Sequence, residues 1–229
     1  MEKQIIFEDN HLIVVNKLPG QIVQGDKTGD MPLSEQVKEY IKIRDQKPGN
    51  VFVGVVHRLD RPVSGIVIFA KTSKALSRMN ELFKTREVHK TYWAVVKNKP
   101  KDTSGSLIHY LTKNEKQNKS YASEFEKKGS LKCELNYNLL AKSYTYYLLE
   151  VNPLTGRHHQ IRVQLSSMGC PIKGDLKYGF NRSNSDGSIH LHARLVRFMH
   201  PIRQVELLLV APVPNEIVWK SLEEKTIVS

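Results

Sequence analysis

The sequence predicts an α+β fold: a large, mostly antiparallel mixed sheet flanked by helices and loops. Strand-like runs outnumber helical ones. They follow one another in meanders instead of alternating regularly with helices. No internal repeat and no long linker divides the 229 residues, so one domain over 1–229 is expected.

The elements follow in order. "QIIF" and "HLIVVNK" are two short strands separated by a turn at Glu8–Asn10. Residues 20–32 form a loop rich in Gly, Asp and Thr. "LSEQVKEYIKIRD" places Leu33, Val37, Tyr40 and Ile41 on one helical face. "GIVIFAK" is a buried strand. "TSKALSRMNELFKTR" opens on a Thr/Ser cap and repeats Leu76, Met79 and Phe83 at helical spacing. "KTYWAVVK" is again a strand. Residues 100–130 are polar and Lys-rich, which predicts a hairpin excursion or small subdomain. "ELNYNLLAK" and "YTYYLLEVN" are paired strands. A helix begins near His159 and stops at Gly169, since glycine suits the residue just past a helix. "YGFNRSNSDGS" is a mobile loop, "HLHARLVRFMHP" and "QVELLLVAP" are the last strands, and "PNEIVWKSLEE" is a closing helix.

Hydrophobic residues make up 40% and charged residues 25%, the balance of an ordinary soluble globule. The formal charge of +12 favours a polyanionic partner, nucleic acid before a membrane surface. Cys133 and Cys170 form no CxxC pair and no Cys/His ligand cluster, so no metal is expected. The N-terminus lacks the layout of a signal peptide, and no apolar run approaches the roughly 20 residues of a membrane span. A cytoplasmic protein with reduced cysteines is expected.

"GQIVQGDKTG", from Gly20, nearly spells a phosphate loop, but Asp26 interrupts it and no helix follows directly. It reads as a glycine-rich surface loop. "VVHRLDRPVSGIVIFAK" carries more. His57, Arg58, Asp60 and Arg61 crowd one turn before an apolar strand, and Pro62 and Gly65 shape its backbone. Basic neighbours favour an ionised carboxylate, and an ionised Asp at a strand end is a competent nucleophile or base. A surface salt-bridge turn accounts for the same residues equally well. A second knot, "PLTGRHHQIRVQLSSMGCPIKGD", sets Arg157, His158, His159, Gln160 and Arg162 within six positions. Its alternative is a solvated helix face.

Together, "HRLDRPVSG", "KTYWA", "GRHHQIR", "GCPIKGDLKYG" and "HLHARLVRFMHP", with Asp9, Asn16, Lys17 and Gly20 ahead of them, resemble the RluA-type pseudouridine synthase family. The likeness runs from about Ile6 to Pro212. Three departures stand out: Val63 replaces the usual Thr, Pro19 lies one place late, and "VQL" replaces "VHL" after Arg162. Many members carry a small N-terminal RNA-binding domain. Here the first motif opens at Asp9, and a stand-alone catalytic domain is expected.

The resemblance implies isomerisation of uridine to pseudouridine in ribosomal or transfer RNA, without cofactor or metal, by a monomer needing no obligate protein partner. It assigns catalysis to Asp60, Tyr92 and Arg162. Asp60 attacks the sugar or removes a ribose proton, Arg162 pairs with it and holds it ionised, and Tyr92 stacks on the flipped base. RNA contacts fall to Arg58, His57, Arg157, His159 and Gln160. Arg58 fills the gap that the flipped base leaves. His57 is equally a turn residue satisfying backbone groups, while His190, His192 and His200 are structural. Two other classes stay open: an idle RNA-binding protein on the same fold, and a metal-dependent nuclease.

Overall fold

A computed structural model describes residues 1–26 and 28–227. Lys27, part of the broken phosphate-loop reading, lies outside the described residues. The class is α+β with mostly antiparallel strands, and the chain divides into two compact units.

The first unit comprises Met1–His89 and Ala193–Pro212. A short 3-10 turn leads into β1 (Ile5–Glu8), which pairs antiparallel with β2 (Leu12–Lys17). Asp9 closes the turn between them by accepting the His11 and Leu12 amides at 2.7 and 2.8 Å. Helix α1 (Leu33–Arg44) starts after Pro32 without a side-chain cap. Its first N–H groups reach the carbonyls of Ile22 and Val23 instead. Strand β3 (Gly54–Val55) is too short to show a period, which is why the sequence did not reveal it. It pairs with β4 (Ser64–Ala70), all seven residues of which are buried. Helix α2 (Ser73–Lys84) is capped as expected, Thr72 accepting the Ala75 amide at 3.2 Å. Val37 and Ile41 of α1 pack with Ile13, Val15, Val67 and Phe69 into the core of this unit.

The second unit comprises Lys90–His192 and Val213–Ser229. Strand β5 (His89–Val96) begins at its edge. The Lys-rich stretch resolves into a hairpin of β6 (Ser104–Asn114) and β7 (Lys119–Ser123). Strand β8 (Leu131–Lys142) pairs with β6 on one side and β9 (Tyr147–Pro153) on the other, and β9 pairs with β5. Helix α3 (Gln160–Ser167) ends in the two hydrogen bonds of a Schellman motif, Cys170 N to Leu165 O and Gly169 N to Ser166 O, with Gly169 at φ 80°. Val163 of α3 packs against Leu111, Cys133 and Tyr178.

Strand β10 (Leu191–Met199) opens in the second unit and runs on in the first, where β11 (Glu206–Val210) pairs with it. The closing helix α4 (Ile217–Ile227) sets Trp219 and Leu222 against Trp93, Val95 and Leu148. The 178–188 segment is irregular as expected but tied at its far end. Asn184 accepts the Lys173 ammonium at 2.7 Å and donates to Ser188 O at 2.9 Å and to His190 Nδ1 at 3.0 Å. No helix among the described residues is long and apolar enough to cross a membrane.

His190 is structural, as the sequence suggested. Its ring stacks on Trp219, and its Nε2 lies 3.1 Å from Glu216. Burial holds its pKa down to about 4. In the unfolded chain it titrates near 6.5. Below that pH the unfolded state binds a proton that the folded state refuses, so stability falls as pH drops from about 6.5 towards 4. His190 alone should remove up to ~3 kcal/mol across that window. Urea melts at pH 7 and pH 5 on wild type and His190→Gln check this: the variant should lose distinctly less on acidification.

Candidate active site

In the first unit, the knot lies between β3 and β4. The Val63 amide closes a turn onto Asp60 O at 3.0 Å. Lys17, at the end of β2, is wholly buried and organises this turn. Its Nζ donates to Val63 O at 2.6 Å, Leu18 O at 3.0 Å and Arg61 O at 3.1 Å. Gly20, at φ 85°, adds its amide to Arg61 O at 2.8 Å. Burial pushes the Lys17 ammonium down to about 7. Asp60 favours its charged form and Arg61 opposes it. The sequence placed Lys17 inside a motif without assigning it a task. A lysine closing a strand that opens on four apolar residues, Leu12 to Val15, was the signal.

The remaining charges of the knot divide by position. Arg58 is exposed and makes no ion pair among the described residues. Asp60 is half-buried. Arg61 turns to the 20–32 loop, forming an ion pair with Asp30 and donating to Thr28 Oγ1 at 2.8 Å. That loop is therefore fastened to the knot. His57 takes the backbone reading: its Nε2 accepts the Ile68 amide at 3.1 Å, and its ring stacks on Phe83. Gly65 has φ 112°, and a Cβ there would strike the backbone of Ala193, so no other residue fits.

In the second unit, Tyr92 stands on β5 opposite Val151 of β9 and is half-buried. Arg162 is 5% exposed in α3. It makes a two-pronged ion pair with the equally buried Asp175, Nε to Oδ2 at 2.7 Å and Nη2 to Oδ1 at 2.9 Å. Its guanidinium also lies 5.1 Å from the centre of the Tyr178 ring. His159 caps α3 in the left-handed region, φ 53°. Its Nδ1 is 2.9 Å from the Tyr178 hydroxyl, which also accepts the Ser120 amide at 2.8 Å. Gln160 is buried and accepts from Arg157 N at 3.0 Å and Thr155 Oγ1 at 2.8 Å, and its Nε2 donates to Glu134 O at 3.1 Å. Arg157 is exposed. Of the three RNA candidates here, Arg157 faces solvent, while His159 and Gln160 are built into the support. Asp175 and Tyr178 were in the quoted motifs, but no local pattern marked them as partners of Arg162 and His159.

This arrangement presents a carboxylate on a pinned turn, an exposed guanidinium two residues away, and a tyrosine and a buried arginine in the second unit. Residues 11–167 match the model of the RNA pseudouridylate synthase family. The chain belongs to that family. Pseudouridine synthases are isomerases, and membership gives the chain that enzyme class. It is 33% identical over 216 residues to the ribosomal large subunit pseudouridine synthase C of Buchnera aphidicola subsp. Acyrthosiphon pisum, covering 91% of this chain and 67% of that one. It is 29% identical over 238 residues to the tRNA pseudouridine synthase C of Vibrio cholerae, covering 96% and 93%. The chain thus spans about two thirds of the length of the ribosomal relatives it matches. Among solved structures, human RNA pseudouridylate synthase domain containing 4 superposes with a TM-score of 0.79 at 25% identity, covering 99% of this chain and 94% of the other.

The Arg162–Asp175 pair of this pseudouridine synthase is removed from water, and breaking such a buried two-pronged pair by removing one member costs ~3–5 kcal/mol. Asp175→Ala should lower the unfolding free energy obtained from urea melts by that amount. The double variant Arg162→Met, Asp175→Leu should recover a large part of the loss.

Proposed function

We propose that the chain isomerises specific uridines in structured ribosomal or transfer RNA, residues 1–229 acting as one catalytic domain. The reading extends to a monomer in the cytoplasm that needs no obligate protein partner. One observation carries it: a half-buried Asp60 on a turn held by a buried lysine, with Arg58 left exposed beside it.

The reaction breaks the N1–C1′ bond, turns the base over and joins C5 to C1′. The C5 proton is lost and N1 regains one, so atoms and electrons balance within the nucleotide. Asp60, Tyr92 and Arg162 are the catalytic residues of this reading. Asp60 starts the reaction at the sugar. Tyr92 stacks on the extruded base and assists proton transfer at C5. Arg58 enters the vacated stack, where its planar guanidinium replaces base contacts. Arg157 contacts phosphate. His57, His159 and Gln160 act through the shape of the RNA-facing loops.

Asp60→Asn should make no pseudouridine while retaining most of its RNA affinity. Product formed at the wild-type rate would contradict the proposal. An idle RNA-binding protein predicts no product from wild type either, and a nuclease predicts shortened RNA.

Arg58 should fail differently. Unstacking a uridine costs a few kcal/mol in a stem and least in a loose strand. In single-turnover assays, Arg58→Ala should lose most on a structured stem-loop and little on a short unstructured RNA, whereas Asp60→Asn is dead on both. Equal proportional losses for Arg58→Ala would remove its flipping role.

A further inference from the structure

Beside the end of β5, within the second unit, a cavity of about 290 Å³ opens between the 97–98 turn, the 145–146 turn and the 171–184 segment. None of the residues discussed as catalytic lines it. Three cations do, Lys97, Lys173 and Arg182, and no carboxylate is among the lining residues. Lys173 is already engaged: it donates to Asn184 and lies 5.7 Å from the centre of the Tyr146 ring. Burial lowers its pKa, while Glu216 and Asp186 favour its charge. It therefore braces the wall. Lys97 and Arg182 are exposed at the mouth and make no ion pair among the described residues. Phe180 lines the same cavity and is half-buried.

These features select a ligand class. Two unengaged cations at the mouth of a cavity suit a phosphate. An aromatic ring beside them suits a base, since every base has a π-face and stacking tolerates any sequence. The volume falls just below the range of about 300–1,000 Å³ found for small-molecule sites, enough for one nucleotide and too little for two. We propose that this cavity is a second RNA subsite. It takes one unpaired nucleotide of the substrate strand, its phosphate on Lys97 and Arg182 and its base against Phe180. The proposal rests on the reading of RNA as substrate and adds where a nucleotide other than the target uridine is held.

The test uses the full chain and a fluorescent single-stranded oligouridylate of eight nucleotides as probe. Lys97→Ala, Arg182→Ala together should weaken binding about fivefold to tenfold. They should also flatten the slope of log affinity against log salt by about 0.7, the share of the one phosphate they hold between them. Phe180→Ala should cost about tenfold with the slope unchanged. Lys99→Ala, Lys101→Ala removes the same charge at exposed positions outside the cavity and should have a clearly smaller effect. Thermal melts of the lysine and arginine variants should match wild type, as expected for exposed side chains, and Phe180→Ala should keep a single cooperative transition. Uridine 5′-monophosphate should displace the probe from wild type better than inorganic phosphate does. Equal displacement by both would reduce the cavity to an anion site and overturn the nucleotide assignment. If wild type makes pseudouridine and binds the probe, yet the cavity variants bind as wild type or no worse than the Lys99/Lys101 control, the subsite fails alone. If wild type neither binds nor modifies RNA, the substrate reading falls with it.

Discussion

A lysine ammonium with no access to water sets the shape of the candidate site. Burying an ion costs several kcal/mol unless its protons are all used. Lys17 uses them on three backbone carbonyls, two of which belong to the turn that carries Asp60. The turn cannot rotate without orphaning that cation. The carboxylate on this turn is thereby held in one place, and a group already aimed needs no reorganisation in order to react. The strand register contributes to the same end. Lys17 lies opposite Gly65 across β2 and β4, and the missing side chain at Gly65 admits the Ala193 backbone. One buried charge and one absent Cβ, facing each other, thus define the base of the knot.

The second unit meets a similar demand by another device. Arg162 needs two carboxylate oxygens to be tolerable inside, and Asp175 supplies both from the loop after α3. Tyr178, three residues later, places its ring beside the guanidinium and its hydroxyl beside His159 and Ser120. The left-handed turn at His159 is bonded from the same hydroxyl, so the start of α3 and the position of Arg162 are fixed by one short segment. Gln160 closes the other side by tying Thr155 and Arg157 to Glu134 of β8.

Much of the fold was legible because its elements carry strong periodicity. The α2 helix announced itself by a Thr cap and Leu76, Met79 and Phe83, and β2 and β4 by apolar runs bounded by turns. β3 was not legible, because two residues have no period. At the candidate site, the motifs drew attention to Asp60, Tyr92 and Arg162 by residue type and order. They did not mark the residues that support these. Asp175 lies 13 positions beyond Arg162, and a contact set by tertiary packing leaves no mark in local spacing. The same limit hid that His159 and Gln160 are buried and bonded to Tyr178, Thr155, Arg157 and Glu134. Polar residues clustered near a helix start read alike whether they face solvent or satisfy backbone groups.

Burial is what separates the two uses of charge in this chain. The excess of 12 positive charges is a property of composition and says nothing about which cations are available. Lys17 and Arg162 are spent on internal partners, Lys173 is partly so, and Arg61 holds a loop. Arg58, Arg157 and Arg182 are exposed. A phosphate backbone responds to the second group and not to the first, because only a solvated cation can exchange water and counterions for a phosphate. Each knot therefore pairs the two kinds at close range: Arg58 beside the turn that Lys17 braces, and Arg157 at the entry to the helix that carries Arg162. The buried member fixes geometry and the exposed member stays available to a phosphate, so the basic knots are dense where a merely electrostatic surface would spread its charge.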